Sequence, residues 1–122
     1  MKKILFIEDE SALQQTLGDF LRQQGYAVIS ALDGEAGLEA IRKERPDLVL
    51  LDLILPKKHG MDVFREMHAD PATASIPVIV LSNVESSDTV RQALELGAKA
   101  YLVKTNYTLD EVLEKVKTVL GS

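Results

Sequence analysis

The sequence predicts an α/β fold of the doubly wound type, with five parallel strands each followed by a helix. Two observations carry that prediction. Five short apolar runs punctuate the chain, and between them apolar residues recur at helical spacing. Runs of four or five residues, continuously apolar or rich in β-branched side chains, are too short for helices and read as strands buried on both faces. The intervening segments read as helices that cover those faces, so the sheet is parallel. A chain of 122 residues suits one domain, expected to span 1–122. Folding at that size buries well over half of the unfolded surface, so no staple is needed.

Taken in order, the first run is "KILFI" (3–7). Leu13, Leu17, Phe20 and Leu21 then share one helix face, opened by a capping box of Ser11 with Gln14 and stopped at Gly25. "AVISA" (27–31) is the second strand, and Leu38, Ala40 and Ile41 mark a helix after "DGE". "LVLL" (48–51) is the third, followed by a short helix carrying Met61, Phe64 and Met67, here read as core. "DPATASIP" (70–77) is the loosest loop and leads to "PVIVL" (77–81). Val90, Ala93, Leu94 and Gly97 mark the fourth helix, which ends at "LGA". "AYLV" (100–103) precedes a fifth helix with Leu109, Val112, Leu113, Val116, Val119 and Leu120, opened by the box Thr108 to Glu111. Right-handed crossovers leave few topologies, and strand order 2-1-3-4-5 is the natural choice.

Composition narrows the function classes. There are no cysteines, which excludes a disulfide framework, a zinc ribbon and a thiol nucleophile. A net charge of −5 argues against direct nucleic-acid binding, which wants a basic stripe. Only Ile4 to Ile7 are apolar before Glu8, too few for a signal-peptide core, and no stretch is long enough to span a bilayer. The expected location is the cytoplasm, with no membrane partner.

The chemistry is expected beyond the carboxyl ends of the strands, where open α/β sheets place their sites. Glu8, Asp9 and Glu10 follow the first run, Asp52 the third, Ser82 the fourth and Lys104 the fifth. Asp52 interrupts "DLVLLDLILP", and a carboxylate among leucines needs charge or water to meet it. Crowding Glu8 and Asp9 against Asp52 is repulsive unless a cation binds, and Mg²⁺ suits such oxygen ligands. A carboxylate nucleophile, Mg²⁺, a lysine and a hydroxyl are suited to phosphoryl transfer. Glu10 is better read as an acid near the positive end of the first helix. His59 and His68 lack a partner at metal-ligand spacing and read as surface residues.

Over its whole length the chain resembles the receiver domain of two-component response regulators, from "ILFIEDE" through "LVLLDLILPKKHGMD" and "PVIVLSN" to "GAKAYLVKTN". The resemblance implies the same flavodoxin-like order 2-1-3-4-5. It implies Asp52 as phosphoacceptor, Asp9 as a direct Mg²⁺ ligand, Glu8 as a ligand through water, and the Ile54 backbone carbonyl as a further ligand. Lys104 would pair with the phosphoryl group and Ser82 would hydrogen-bond to it, with Tyr101 as the aromatic that turns inward. The donor would be a histidine kinase or a histidine phosphotransfer protein. A downstream protein would read the face made by the fourth helix, fifth strand and fifth helix, in a stand-alone receiver whose output comes from docking.

Several positions depart from the commonest pattern. Thr105 replaces the proline that normally follows a cis bond after the lysine. A cis bond before threonine costs ~3–4 kcal/mol, so the loop is expected to be trans and rearranged. Asn83 stands where a small residue is usual and is expected to narrow access to Asp52. Leu55 and His59 are milder replacements. Ile54 and Val84 flank the site and are apolar, unable to orient an attacking water, so the acyl phosphate is expected to hydrolyse slowly. Two other functions compete: a receiver-fold binding module that signals without phosphorylation, and an aspartyl-nucleophile phosphohydrolase. The latter wants a second aspartate where Ile54 stands. A flavin-binding protein of similar topology is disfavoured because the turn after the first strand is acidic.

Overall fold

Strands form where apolar residues face both ways, and the computed structural model, which describes residues 1–121, follows that rule closely. The elements are β1 (Lys3–Ile7), α1 (Ser11–Gln23), β2 (Ala27–Ala31), α2 (Gly34–Glu44), β3 (Leu48–Leu51), α3 (Gly60–Ala69), β4 (Val78–Ser82), α4 (Ser87–Glu95), β5 (Ala100–Val103) and α5 (Leu109–Leu120). A short 3₁₀ turn, Lys104–Asn106, joins β5 to α5. The sheet has five strands in the expected order 2-1-3-4-5, all parallel. Ile7 lies opposite Ala31 on one side and Leu51 on the other, and Ser82 lies opposite Val103. The carboxyl ends of adjacent strands therefore finish close to level, and the residues that follow them share one rim.

Side chains alternate between two cores. Leu5, Ile7, Val49, Leu51, Val78 and Val80 pack on one face with Leu38 and Ile41 of α2 and Phe64 and Met67 of α3. Ile4, Phe6, Leu48, Leu50, Ile79 and Leu81 pack on the other with Leu17 and Leu21 of α1 and Val112 and Val116 of α5. Each fully buried aliphatic side chain contributes about 1.5–3 kcal/mol. Both layers grip the central strands β1, β3 and β4, which stiffens the rim where the acids emerge.

Local expectations divide according to how much tertiary context each needs. The Thr108 box is present, with its hydroxyl accepting from the Glu111 amide at 3.2 Å. The Ser11 box is not: Glu10 caps α1 without a side-chain bond, and Gln14 is buried under the rim instead. Gly25 ends α1 at a φ of 97°, a left-handed conformation that favours glycine. Pro77 stands outside β4 because it has no N–H for the ladder, so the strand runs from Val78 and takes in Ser82. The loop before it is tied down rather than loose. Thr73 is buried and its hydroxyl donates to the Met67 carbonyl at 2.7 Å. In α4, Ala93 is buried whereas Leu94 is 49% exposed. A short helix near the sheet edge buries a narrower stripe than the apolar spacing implied.

Candidate functional site

Asp52 is the first residue past β3. Its amide donates to the Ile7 carbonyl at 3.0 Å, carrying the β1–β3 pairing one step further and fixing where the side chain begins. The residue is only 3% exposed. Its Oδ2 accepts from Lys104 Nζ at 3.1 Å, and its Oδ1 accepts weakly from the Ile54 amide at 3.4 Å. The charge that the sequence demanded for this aspartate is thus supplied by a residue 52 positions away.

Glu8 is fully buried one residue past β1. Its amide donates to the Ala31 carbonyl at 3.0 Å, and its Oε2 accepts from the Glu10 amide at 3.0 Å. Lys104 Nζ lies 2.6 Å from Oε1. That contact is one of charge, because Oε1 has no aligned hydrogen-bond partner. Asp9 is exposed, and carboxylate oxygens of Glu8, Asp9 and Asp52 lie within 4.8 Å of one another. Glu10 is exposed at the start of α1, with Oε1 3.9 Å from Lys104 Nζ, so it faces the ammonium rather than capping the helix with its side chain.

Burial pushes the Glu8 carboxyl above the usual range; the close Lys104 ammonium and the Glu10 amide bond pull it back without cancelling, and the Asp52 charge pushes it further up. Burial by itself would lower the Lys104 ammonium, but its close contacts with Glu8 and Asp52 and their charges outweigh burial and leave it raised. The lysine therefore stays charged. One ammonium against three carboxylates still leaves negative charge without a partner. A donor set made only of oxygens, carrying more negative charge than one ammonium offsets, fits a hard divalent cation such as Mg²⁺.

Ser82 is fully buried, and its Oγ accepts from the Val84 amide at 3.3 Å. The Tyr101 hydroxyl, from β5, donates to the Val84 carbonyl. Burial raises the Tyr101 phenol above its ordinary value; the neighbouring Ser82 hydroxyl lowers it, and the charges of Asp52 and Glu85 raise it. The two side chains hold the peptide groups on either side of Val84. Val84, read from sequence only as an apolar flank, is also the backbone link between them.

The remaining predicted residues sit at the mouth. Ile54 is 57% exposed. Asn83 lines a shallow groove of about 390 Å³ with Glu10, Leu13, Lys104, Thr105 and Tyr107, among others. The Lys104–Thr105 bond is trans and opens the 3₁₀ turn, as the absence of proline predicts. A larger groove of about 780 Å³ lies between α2 and α3 and touches none of the three acids. His59 is not an idle surface residue, since its Nδ1 accepts from the Met61 amide at 3.1 Å and caps α3. Sequence reasoning also missed Gln14. The available clue was that it shares a helix face with Leu17 and Leu21, where a polar residue needs a reason.

Residues 4–117 match the family model of the response regulator receiver domain. The chain is 37% identical over 119 residues to a probable transcriptional regulator ycf27 of Porphyridium aerugineum, covering 98% of this chain and 48% of that one. It is 35% identical over 119 residues to the alkaline phosphatase synthesis transcriptional regulatory protein PhoP of Bacillus subtilis, with coverage of 98% and 48%. The chain thus spans about half the length of these curated relatives. Among solved structures, a CheY-like response regulator receiver domain protein from Methanospirillum hungatei superposes with a TM-score of 0.92 at 28% identity, covering 99% of this chain and 94% of that one. The BeF3-activated receiver domain of Klebsiella pneumoniae RstA gives 0.88 at 29% identity, covering 98% and 99%. No helix among the described residues is long and apolar enough to cross a membrane. By sequence along nearly its full length, and by strand order, the chain belongs to the receiver-domain family of two-component response regulators, signalling phosphoacceptors that are phosphorylated on an aspartate with Mg²⁺.

Proposed function

We propose that Asp52 is the phosphoacceptor, taking its phosphoryl group from a phosphohistidine on a histidine kinase or phosphotransfer protein. The observation that carries this reading is the ammonium of Lys104 set between two buried carboxylates, 2.6 Å from Glu8 and 3.1 Å from Asp52. Asp52 directly follows the central strand β3, and Lys104, 3.1 Å away, is close enough to follow a negative charge added there. An Asp52 carboxylate oxygen attacks phosphorus, the P–N bond of the donor breaks, and the imidazole nitrogen leaves with the bonding pair. Lys104 offsets charge on the phosphoryl oxygens. Asp9, Asp52 and the Ile54 carbonyl would hold Mg²⁺ directly, and Glu8 through water. When bound, the ion neutralises charge on the transferring group.

The switch follows from the bonds around Val84. Ser82 Oγ at present accepts from the Val84 amide, so its proton is available for a phosphoryl oxygen. Drawing Ser82 toward Asp52 loads the backbone before Val84, and Tyr101 holds the carbonyl that follows it. The face of α4, β5 and α5 then changes its affinity for a downstream protein, a shift between two states biased by one added charge.

The test is incubation with acetyl phosphate and Mg²⁺ followed by intact-mass measurement. One phosphate adduct is expected, and none should form when a chelator is present from the start. Uptake that is absent while a control receiver is labelled would leave the receiver-fold binding module as the better reading.

The acyl phosphate is expected to be long-lived, because Ile54 and Val84 offer no polar atom on their side chains to align water. Replacing them together, Ile54→Asn with Val84→Glu, should speed loss of the adduct by up to about 10²-fold, the low end for positioned proton transfer. An unchanged decay after removal of the donor would remove these residues as the brake.

A further inference from the structure

We propose that Gln14 is a positioning residue for the acid pocket: its side-chain amide holds the backbone turn through Glu8 and so sets the site's affinity for Mg²⁺. This rests on the metal-dependent reading above. Gln14 is 8% exposed, on the face of α1 that lies under the rim. Its Nε2 lies 2.9 Å from the Phe6 carbonyl, 3.1 Å from the Glu8 carbonyl and 3.2 Å from the Ala31 carbonyl. Two amide protons are shared among three acceptors. The amide's orientation follows from chemistry, since the reverse would aim its oxygen at three carbonyl oxygens.

These three carbonyls belong to the ends of β1 and β2 and to the turn that follows β1. The Ala31 carbonyl accepts from Gln14 and also from the Glu8 amide at 3.0 Å. Glu8 is therefore pinned at both its peptide groups: the amide by Ala31, the carbonyl by Gln14. Asp9 follows directly, and its carboxylate emerges from a turn with little freedom left. Without that hold, Asp9 would swing, and the three acids would meet within 4.8 Å only part of the time.

Gln14 does this while leaving its own Oε1 buried without a partner. A leucine or methionine at that position would bury no orphaned acceptor. Retaining the amide makes sense where the turn above it matters more than the packing. Partners that orient a metal's ligands typically govern affinity by 10–100-fold.

The experiment is a Mg²⁺ titration by calorimetry on wild type, Gln14→Met and Val116→Ala, with amide hydrogen exchange read at Glu8, Asp9 and Glu10. Methionine keeps the length and removes the donors. Val116, on α5, is buried in the core away from the acid turn and controls for general loss of stability. Gln14→Met should bind Mg²⁺ on the order of tenfold more weakly. It should exchange faster at the three amides and regain phosphoryl uptake at saturating Mg²⁺. Val116→Ala should bind as wild type does. Should Gln14→Met not fold, Gln14→Asn, which keeps an amide one methylene too short, gives the same comparison. Equal Mg²⁺ affinity in wild type and the Gln14 variant would overturn this inference alone. Failure of wild type to bind Mg²⁺ would overturn the metal-dependent reading with it.

Discussion

Asp52→Asn protein treated with acetyl phosphate and Mg²⁺ is expected to carry no covalent phosphate under conditions that label wild type. A carboxamide matches the carboxylate in size, so packing at this nearly closed position is kept. Its nitrogen has no lone pair free for attack on phosphorus, and its oxygen carries no full charge. Lys104 retains Glu8 as a partner at 2.6 Å, so the substitution does not strand the ammonium. The fold should therefore survive and only the chemistry disappear. Mg²⁺ affinity should fall as well, because one of three clustered carboxylates is lost. Intact-mass spectrometry after timed incubation is the readout. A full adduct on the Asp52→Asn protein would place the acceptor elsewhere, with Asp9 the next carboxylate to examine.

Gly60→Ala is expected to be strongly damaging, lowering stability by roughly 3 kcal/mol, the upper end for overpacking. A Cβ on Gly60 would lie 2.2 Å from the Asp52 carbonyl oxygen and 2.5 Å from the Leu53 Cα. Both are backbone atoms with no rotamer to escape into. The Gly60 amide donates to the Leu53 carbonyl at 2.7 Å, which draws the start of α3 against the segment leaving β3. The helix can approach that closely only because glycine has no side chain. Gly25→Ala is the contrast: strained by a φ of 97°, but with open space around it. It should cost about 1–2 kcal/mol. Denaturant midpoints for the two variants decide the matter. A smaller loss at Gly60 than at Gly25 would mean that the loop after Asp52 yields easily. A strained Gly60→Ala protein should also accept phosphate more slowly, since the displaced backbone carries Asp52.

Much of the site could be read in advance because it lies at strand ends. Asp52, Ser82 and Lys104 each close or follow an apolar run, and a parallel sheet brings those ends to one edge. Glu8 and Asp9 follow for the same reason, although their burial differs completely and nothing in "IEDE" separates them. Gln14 was misassigned to a capping box because Ser11-x-x-Gln14 satisfies the local pattern. The competing pull, three carbonyls gathered from β1, its following turn and β2, arises only when those strands lie side by side. Leu94 failed in the other direction: helical spacing identifies an apolar face, but the area of sheet available to α4 sets how much of it is covered.

Residue order alone settles the alternation of strands and helices, the cap at Thr108, the stop at Gly25 and the acidic character of the rim. Each depends on periodicity or on neighbours within one turn. The folded chain alone settles that Lys104 sits between Glu8 and Asp52, that Ser82 and Tyr101 share Val84, and that Gln14 lies beneath the acid turn. Those contacts join side chains far apart in the chain, and their distances are products of strand register and helix packing, quantities that no local stretch encodes.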